Sequence, residues 1–218
     1  MMSPRAFLRE HPECLRLYAV TDSAWLDGRT LDECVGQALA GGATFVQLRD
    51  KHASEDALVA QALSLRTICA RRGAPFVIDD NVAAAMAAGA DGVHVGQEDM
   101  ACCQARELLG PDKIVGVSVQ TVAQAEAAEA AGADYLGVGA LFRTATKPEA
   151  ADVPLEELRR ICEAVSIPVV GIGGLNASTV GALAGSGVEG AAVVSALFAA
   201  SDIRAAAADL RGRIEDAL

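Results

Sequence analysis

Aromatic residues are scarce in this chain, which has one Trp, two Tyr and five Phe among 218 residues. A core built without them must be packed by Ala, Val, Leu and Ile, and the 52% hydrophobic content is enough for that. Positive charge is also in deficit: 18 Lys and Arg stand against 29 Asp and Glu, a formal net charge of −11. A surface of that sign repels phosphate backbones, which argues against general nucleic-acid binding. It leaves room for a small anion held by a few cations focused in one cleft. The three His and six Cys show neither CxxC spacing nor a zinc pattern. Cys14, Cys34, Cys69, Cys102, Cys103 and Cys162 therefore read as reduced structural thiols of a cytoplasmic protein. Met1 to Leu15 is polar and interrupted by Pro4 and Pro12, without the apolar core of a secretory signal. No later apolar run is long and helical enough to span a membrane. No Pro/Ser/Gly tract or composition shift divides the chain. One domain over 1–218 is expected, with 1–14 as an N-terminal extension.

What the chain does have is a repeated unit: an Ala-rich helical stretch, a glycine, then a short apolar strand. It appears as Ala40-Gly41-Gly42-Ala43 before Phe45, as Ala88-Gly89-Ala90-Asp91 before Gly92, and as Ala131-Gly132-Ala133-Asp134 before Tyr135, with a weaker copy at Gly185–Gly190. Strands are expected at 15–21, 45–48, 75–78, 92–95, 114–117, 135–138, 168–171 and 190–194. Helices are expected near 31–40, 54–72, 82–88, 99–109, 121–131, 154–164, 177–185 and 202–216. The strands are β-branched and lack alternation, as strands covered on both faces do. Eight strands alternating with eight helices predict an α/β fold, a single-domain (β/α)8 TIM barrel; an open doubly wound sheet usually has fewer strands.

Polar residues follow the strands in turn, and parallel strands bring such residues together at their carboxyl ends. Alternation puts Gln47, Arg49 and Lys51 on one side of a strand end, a cluster suited to a diphosphate or to a solvated strand end pairing with Asp50 and Glu55. Asp79-Asp80-Asn81 ends the next strand, where carboxylates must be solvated, hydrogen-bonded or metal-bound. Asp99 follows the strand after that. Asp80 and Asp99 on adjacent strands suit Mg2+, which takes one or two carboxylates and completes its shell with phosphate and water; a helix N-cap is the alternative for Asp99. Gly173-Gly174 and Val194-Ser195 end the last two strands, where barrels often bind phosphate. Thr144-Ala145-Thr146-Lys147 lies on the longest loop, 139–153, either as a phosphate-binding cover or as an exposed polar loop. His94, between Val93 and Val95, reads as a histidine of the barrel interior rather than a catalytic base.

In combination these segments are specific. Leu17-Tyr18-Ala19-Val20-Thr21-Asp22, Val46–Lys51, Ile78-Asp79-Asp80, Gly92–Asp99, Gly116-Val117-Ser118, Gly137-Val138-Gly139, Thr144–Lys147, Gly171–Gly174 and Val194-Ser195-Ala196 together resemble the thiamine phosphate synthase family, from about Leu15 to Leu210. The resemblance implies a transferase of thiamine biosynthesis. Such an enzyme condenses 4-amino-2-methyl-5-(diphosphooxymethyl)pyrimidine with 4-methyl-5-(2-phosphooxyethyl)thiazole, giving thiamine phosphate and pyrophosphate through a dissociative step with a pyrimidine carbocation. It implies that Gln47, Arg49 and Lys51, within a binding run that includes Leu48 and Asp50, hold the pyrimidine and its diphosphate. Asp79 would face the pyrimidine, and Asp80 and Asp99 would bind Mg2+. Ser118 would contact the pyrimidine substrate and Lys147 its diphosphate, while Thr144, Ala145, Thr146, Gly174, Val194 and Ser195 would line the thiazole phosphate site. Arg49, Lys51, Ser118 and Lys147 carry the catalytic assignments. Two positions depart from the common pattern: Asp79, where many members have Asn, and Gln120, where many have His. Two other readings share the fold, a thiazole tautomerase needing neither Mg2+ nor pyrophosphate release, and a non-catalytic sensor of a phosphate ligand. Partners are expected to be the two small substrates, with neither nucleic acid nor membrane; a homo-oligomer is compatible with the sequence.

Overall fold

A computed structural model describes residues 2–143 and 152–218. Eight parallel strands close into a barrel in sequence order: β1 Leu17–Val20, β2 Phe45–Leu48, β3 Phe76–Asp79, β4 Gly92–Val95, β5 Ile114–Val119, β6 Tyr135–Val138, β7 Val169–Ile172 and β8 Gly190–Val193. β8 pairs with β1 through Tyr18 and Ala192, so no edge strand remains. The expected (β/α)8 barrel is the fold observed.

Strand alternation divides the core in two. Tyr18, Phe45, Val77, Ile114, Tyr135, Val170 and Ala192 pack inside the barrel. Leu17, Val46, Leu48, Ile78, Val93, Val115 and Leu136 face outward into the layer shared with the helices. Both layers are buried, which is why the strands read as continuous apolar runs.

The helices begin where local chemistry starts them. α2 (Leu31–Ala40) opens with a Thr30–Glu33 capping box, and the Ser54 hydroxyl accepts from Ala57 N at the start of α3 (Glu55–Ala70). Asn81 caps α4 (Val82–Ala88) and Thr121 caps α6 (Val122–Ala130). α5 (Cys102–Leu109) and α7 (Leu155–Ala164) start without a side-chain cap. The short α8 (Ser195–Phe198) precedes α9 (Ile203–Ala217), which Asp202 caps by accepting from Ala205 N.

One expected helix is corrected. The stretch 177–185 contains only a single 3-10 turn, Val180–Leu183. Gly181 and Gly185 within it disfavour a longer helix, and α9 packs against the turn in the helix's place.

The segment before β1 is structured as well. Ser3 caps α1 (Pro4–Glu10), and Pro12 opens a 3-10 turn to Leu15. Each proline stands at a first helical position, where its missing N–H costs nothing. Leu8 is fully buried against the barrel interior. Arg5 ties α1 to the amino-terminal ends of β5 and β6, through Arg5 N to Asp112 O (3.0 Å) and Nε to Asp134 Oδ1 (2.6 Å). α1 therefore lies at the mouth opposite the carboxyl ends of the strands.

Candidate active site

β2 turns its odd positions toward the barrel axis and the carboxyl-terminal mouth. Gln47 is buried inside the barrel, and Arg49 and Lys51 follow at the rim. Thr21, directly after β1, is fully buried and locks the Arg49 backbone on both sides. Its hydroxyl donates to Arg49 O (3.1 Å) and accepts from Arg49 N (2.9 Å). Asp22 Oδ2 then accepts from Arg49 Nη1 at 2.8 Å.

From β3, Asp79 reaches the same spot. Its Oδ2 lies 3.6 Å from Arg49 Nε and 3.5 Å from Lys51 Nζ, and Lys51 also pairs closely with Asp80. Asp80 takes a φ of +58°, a left-handed conformation that Asp tolerates better than most residues but that still costs about 1 kcal/mol. From the loop after β4, the Asp99 side chain comes within hydrogen-bonding reach of Asp80, and its Oδ2 accepts from Gly96 N at 2.8 Å. Asp99 is therefore not a helix cap, because α5 starts after Ala101.

Electrostatics marks this rim. Burial, then the neighbouring Asp80 charge, pushes the Asp79 carboxyl up to about 7 against the pull of Lys51 and Arg49. Asp99 is raised, first by desolvation and then by its contact with Asp80. Desolvation works against the Lys51 ammonium, but Asp80 and Asp79 outweigh it and leave the lysine above its ordinary value. Asp22, Asp79, Asp80 and Asp99 face Arg49 and Lys51, a formal excess of two negative charges in one cluster. Hard carboxylate oxygens brought this close together are the donor set a divalent cation such as Mg2+ relieves, so Asp80 and Asp99 fit that ion. Among the described residues, no three of His, Cys, Asp and Glu form a ready-made metal cage. Any ion bound here would have to draw further ligands from substrate or water.

The interior beneath the rim is polar where barrels are usually apolar. His94, buried, sits between Tyr135 Oη (2.9 Å from Nδ1) and Ser118 Oγ (2.9 Å from Nε2). Desolvation pulls its pKa down to about 4, so the ring is neutral.

On the opposite arc of the rim, Gly173 and Gly174 follow β7, and Val194 and Ser195 follow the neighbouring β8. Gly174 has a φ of +64°, and a Cβ there would lie 2.6 Å from Phe142 Cβ and 2.7 Å from Arg143 O. Only glycine lets the loop after β6 come this close.

Two members of the expected binding run do not join the cluster. Leu48 points into the outer apolar layer, because alternation sends it away from the axis. Asp50 Oδ1 turns to Ser23 Oγ (3.2 Å) and His52 N (3.1 Å). Thr144, Ala145, Thr146 and Lys147 lie outside the described residues. The sequence reading gave no role to Thr21, Asp22 or Tyr18. The signal for the first two was their place directly after β1, the same place that singled out the polar groups of the other strands.

In sequence and in fold the chain is similar to proteins of one description. The chain is 48% identical over 194 residues to the thiamine-phosphate synthase of Ruminiclostridium cellulolyticum, covering 89% of this chain and 92% of that one. It is 47% identical over 200 residues to the thiamine-phosphate synthase of Chloroflexus aurantiacus, covering 91% and 92%. The solved thiamine phosphate pyrophosphorylase of Pyrococcus furiosus superposes with a TM-score of 0.87 at 41% identity, covering 94% of this chain and 98% of that one. The family described as thiamine monophosphate synthase matches residues 17–197. With its closed barrel and its charged carboxyl-terminal rim, the chain belongs to that family.

Proposed function

We propose that this protein condenses the aminopyrimidine methyl diphosphate with the thiazole phosphate at the carboxyl-terminal mouth, giving thiamine phosphate and pyrophosphate. One observation carries the reading: two cations directly after β2 meet carboxylates at the end of β3 and after β4 at one point on the rim of a barrel whose family is described as thiamine monophosphate synthase. Arg49, held by Asp22 and Thr21, presents its guanidinium as a fork for diphosphate oxygens. Lys51 is the second cation, and Lys147 is assigned as a third. Asp80 and Asp99 would hold Mg2+, which when bound supplies charge neutralisation for the diphosphate.

The chemistry asked of the protein is positional and electrostatic. The bond between the pyrimidine methylene carbon and the diphosphate oxygen breaks, and its electron pair leaves with pyrophosphate toward Arg49 and Lys51. The amino group of the pyrimidine feeds electron density into the resulting carbocation. The thiazole nitrogen then contributes its lone pair to the new C–N bond. No protein nucleophile is required. Gln47 and Ser118 orient the pyrimidine, and Asp79 faces it. Gly174, Val194 and Ser195, with Thr144, Ala145 and Thr146, line the thiazole phosphate site.

Purified protein given both substrates and Mg2+ should release pyrophosphate in step with thiamine phosphate, and a chelator should abolish turnover. Asp80→Ala should lower kcat at least ~100-fold, whereas Cys102→Ala should change it less than about twofold. Equal mild losses would make Asp80 ordinary surface. Isomerisation of a thiazole without condensation would favour the tautomerase, and tight binding without turnover the sensor.

A further inference from the structure

The barrel interior contains an unbroken chain of five polar side chains. Gln47 Nε2 donates to Tyr18 Oη at 2.7 Å. Tyr18 Oη and Tyr135 Oη are 2.7 Å apart, Tyr135 Oη is 2.9 Å from His94 Nδ1, and His94 Nε2 is 2.9 Å from Ser118 Oγ. The five residues come from β2, β1, β6, β4 and β5. The chain starts and ends on Gln47 and Ser118, two of the residues assigned to the pyrimidine. Its middle is sealed: Tyr18 and Tyr135 are 1% and 0% exposed, and a Cβ on Gly116 would lie 2.4 Å from Tyr135 Oη, so the glycine makes the space for that ring.

Each hydroxyl carries one proton, and a neutral imidazole has one N–H. The direction at one end therefore sets every link. Tyr18 accepts from Gln47, and Tyr135 Oη is the one other hydrogen-bond partner of its hydroxyl among the described residues, so the buried Tyr18 proton is satisfied only by going to Tyr135. Tyr135 then gives its own proton to His94 Nδ1. The ring must keep its proton on Nε2 and donate it to Ser118 Oγ, which leaves the Ser118 proton free to point out of the chain.

We propose that Gln47, Tyr18, Tyr135 and His94 form a one-way hydrogen-bond relay that presents Ser118 as a donor to a lone pair of the aminopyrimidine. The substrate part of this inference rests on the proposed function; the relay itself does not. Tyr18, Tyr135 and His94 act through Gln47 and Ser118 and are positioning residues. A purely structural role would need the hydrogen bonds but not their direction, and direction is what can be measured.

Long-range proton–nitrogen spectra of the full chain distinguish the two nitrogens of each imidazole. His11 and His52, both exposed, are told apart from His94 by substituting each in turn and noting which signals vanish. The wild type should show His94 as a single tautomer with the proton on Nε2. In Gln47→Glu, recorded where carbon spectra show the new carboxyl ionised, position 47 can only accept. Every link should then reverse, and the His94 proton should move to Nδ1. A wild-type Nδ1–H tautomer, a mixture, or an unmoved proton in Gln47→Glu would overturn the relay.

Tyr135→Phe keeps the ring and removes the link. It should raise KM for the pyrimidine diphosphate about tenfold, the value of one hydrogen bond, with KM for the thiazole phosphate changed less than twofold. An equal rise in both constants would reject the role toward the pyrimidine. Condensation failing altogether, with the tautomer behaving as stated, would reject the assigned reaction and leave the relay standing.

Discussion

Asp79 shows at the scale of one residue how a site competes with stability. Its raised pKa means that the folded state keeps a proton the unfolded chain releases. The associated stability is fully present below the unfolded value of about 3.9 and is lost as pH rises through about 7. His94 has the opposite sign, because its folded pKa of about 4 lies below the unfolded one. Its contribution is present above the unfolded value of about 6.5 and is lost as pH falls through 4. The two slopes oppose each other over the same range. In chelator, Asp79→Asn should raise Tm by a few degrees at pH 8 relative to pH 5 and should steepen the loss of stability in acid, where His94 then acts unopposed. Thermal melts at a series of pH values check this, and an unchanged pH profile would mean that Asp79 is ionised at little cost. The sequence showed a carboxylate after a strand at this position. It could not show the burial that shifts its proton.

α1 makes the corresponding case for an element. Its polar sequence and the prolines at 4 and 12 do not announce a core element, and its apolar face is the fully buried Leu8 with Phe7 packed partly buried beside it. Only the open amino-terminal mouth of a closed barrel gives Leu8 something to cover. Leu8→Ala should cost about 2–4 kcal/mol, read as a lower denaturation midpoint, while kcat changes less than twofold because the groups proposed to bind the substrates sit at the far end of the strands. A large loss of kcat at full stability would contradict this division of labour between the two mouths. The stretch between β7 and β8 makes the reverse point. Alternation of strands and helices predicts a helix there, but 177–185 contains only a 3-10 turn, with α9 packed against it. Periodicity identifies a segment that must cover the barrel, and the covering element can come from elsewhere in the chain.

For the whole molecule, the six cysteines stand without metal-type spacing and the aromatics are few. Among the described residues all six cysteines are free, and no helix is long and apolar enough to cross a membrane. Burial pushes Cys14 and Cys69 up to about 12 and Cys102 and Cys162 up to about 11, and raises Cys34. Cys103 alone among the six is exposed. A thiol reagent at neutral pH should modify Cys103 first and leave Cys14, Cys34 and Cys69 untouched until the chain is denatured, as mass spectrometry of labelled peptides would show. Early labelling of Cys69 would mean that α3 does not stay docked on the barrel. By itself the sequence determined the parallel barrel and the mouth at which Arg49, Lys51, Asp79, Asp80 and Asp99 gather, because helix–glycine–strand repeats and polar groups at strand ends are local patterns. Only the tertiary structure decided which polar groups share a partner. Asp22 meets Arg49 across 27 positions and Tyr18 meets Tyr135 across 117, and Leu48 is turned away from its neighbours. Strand register and barrel closure set those distances, and neither is written in any short stretch of chain.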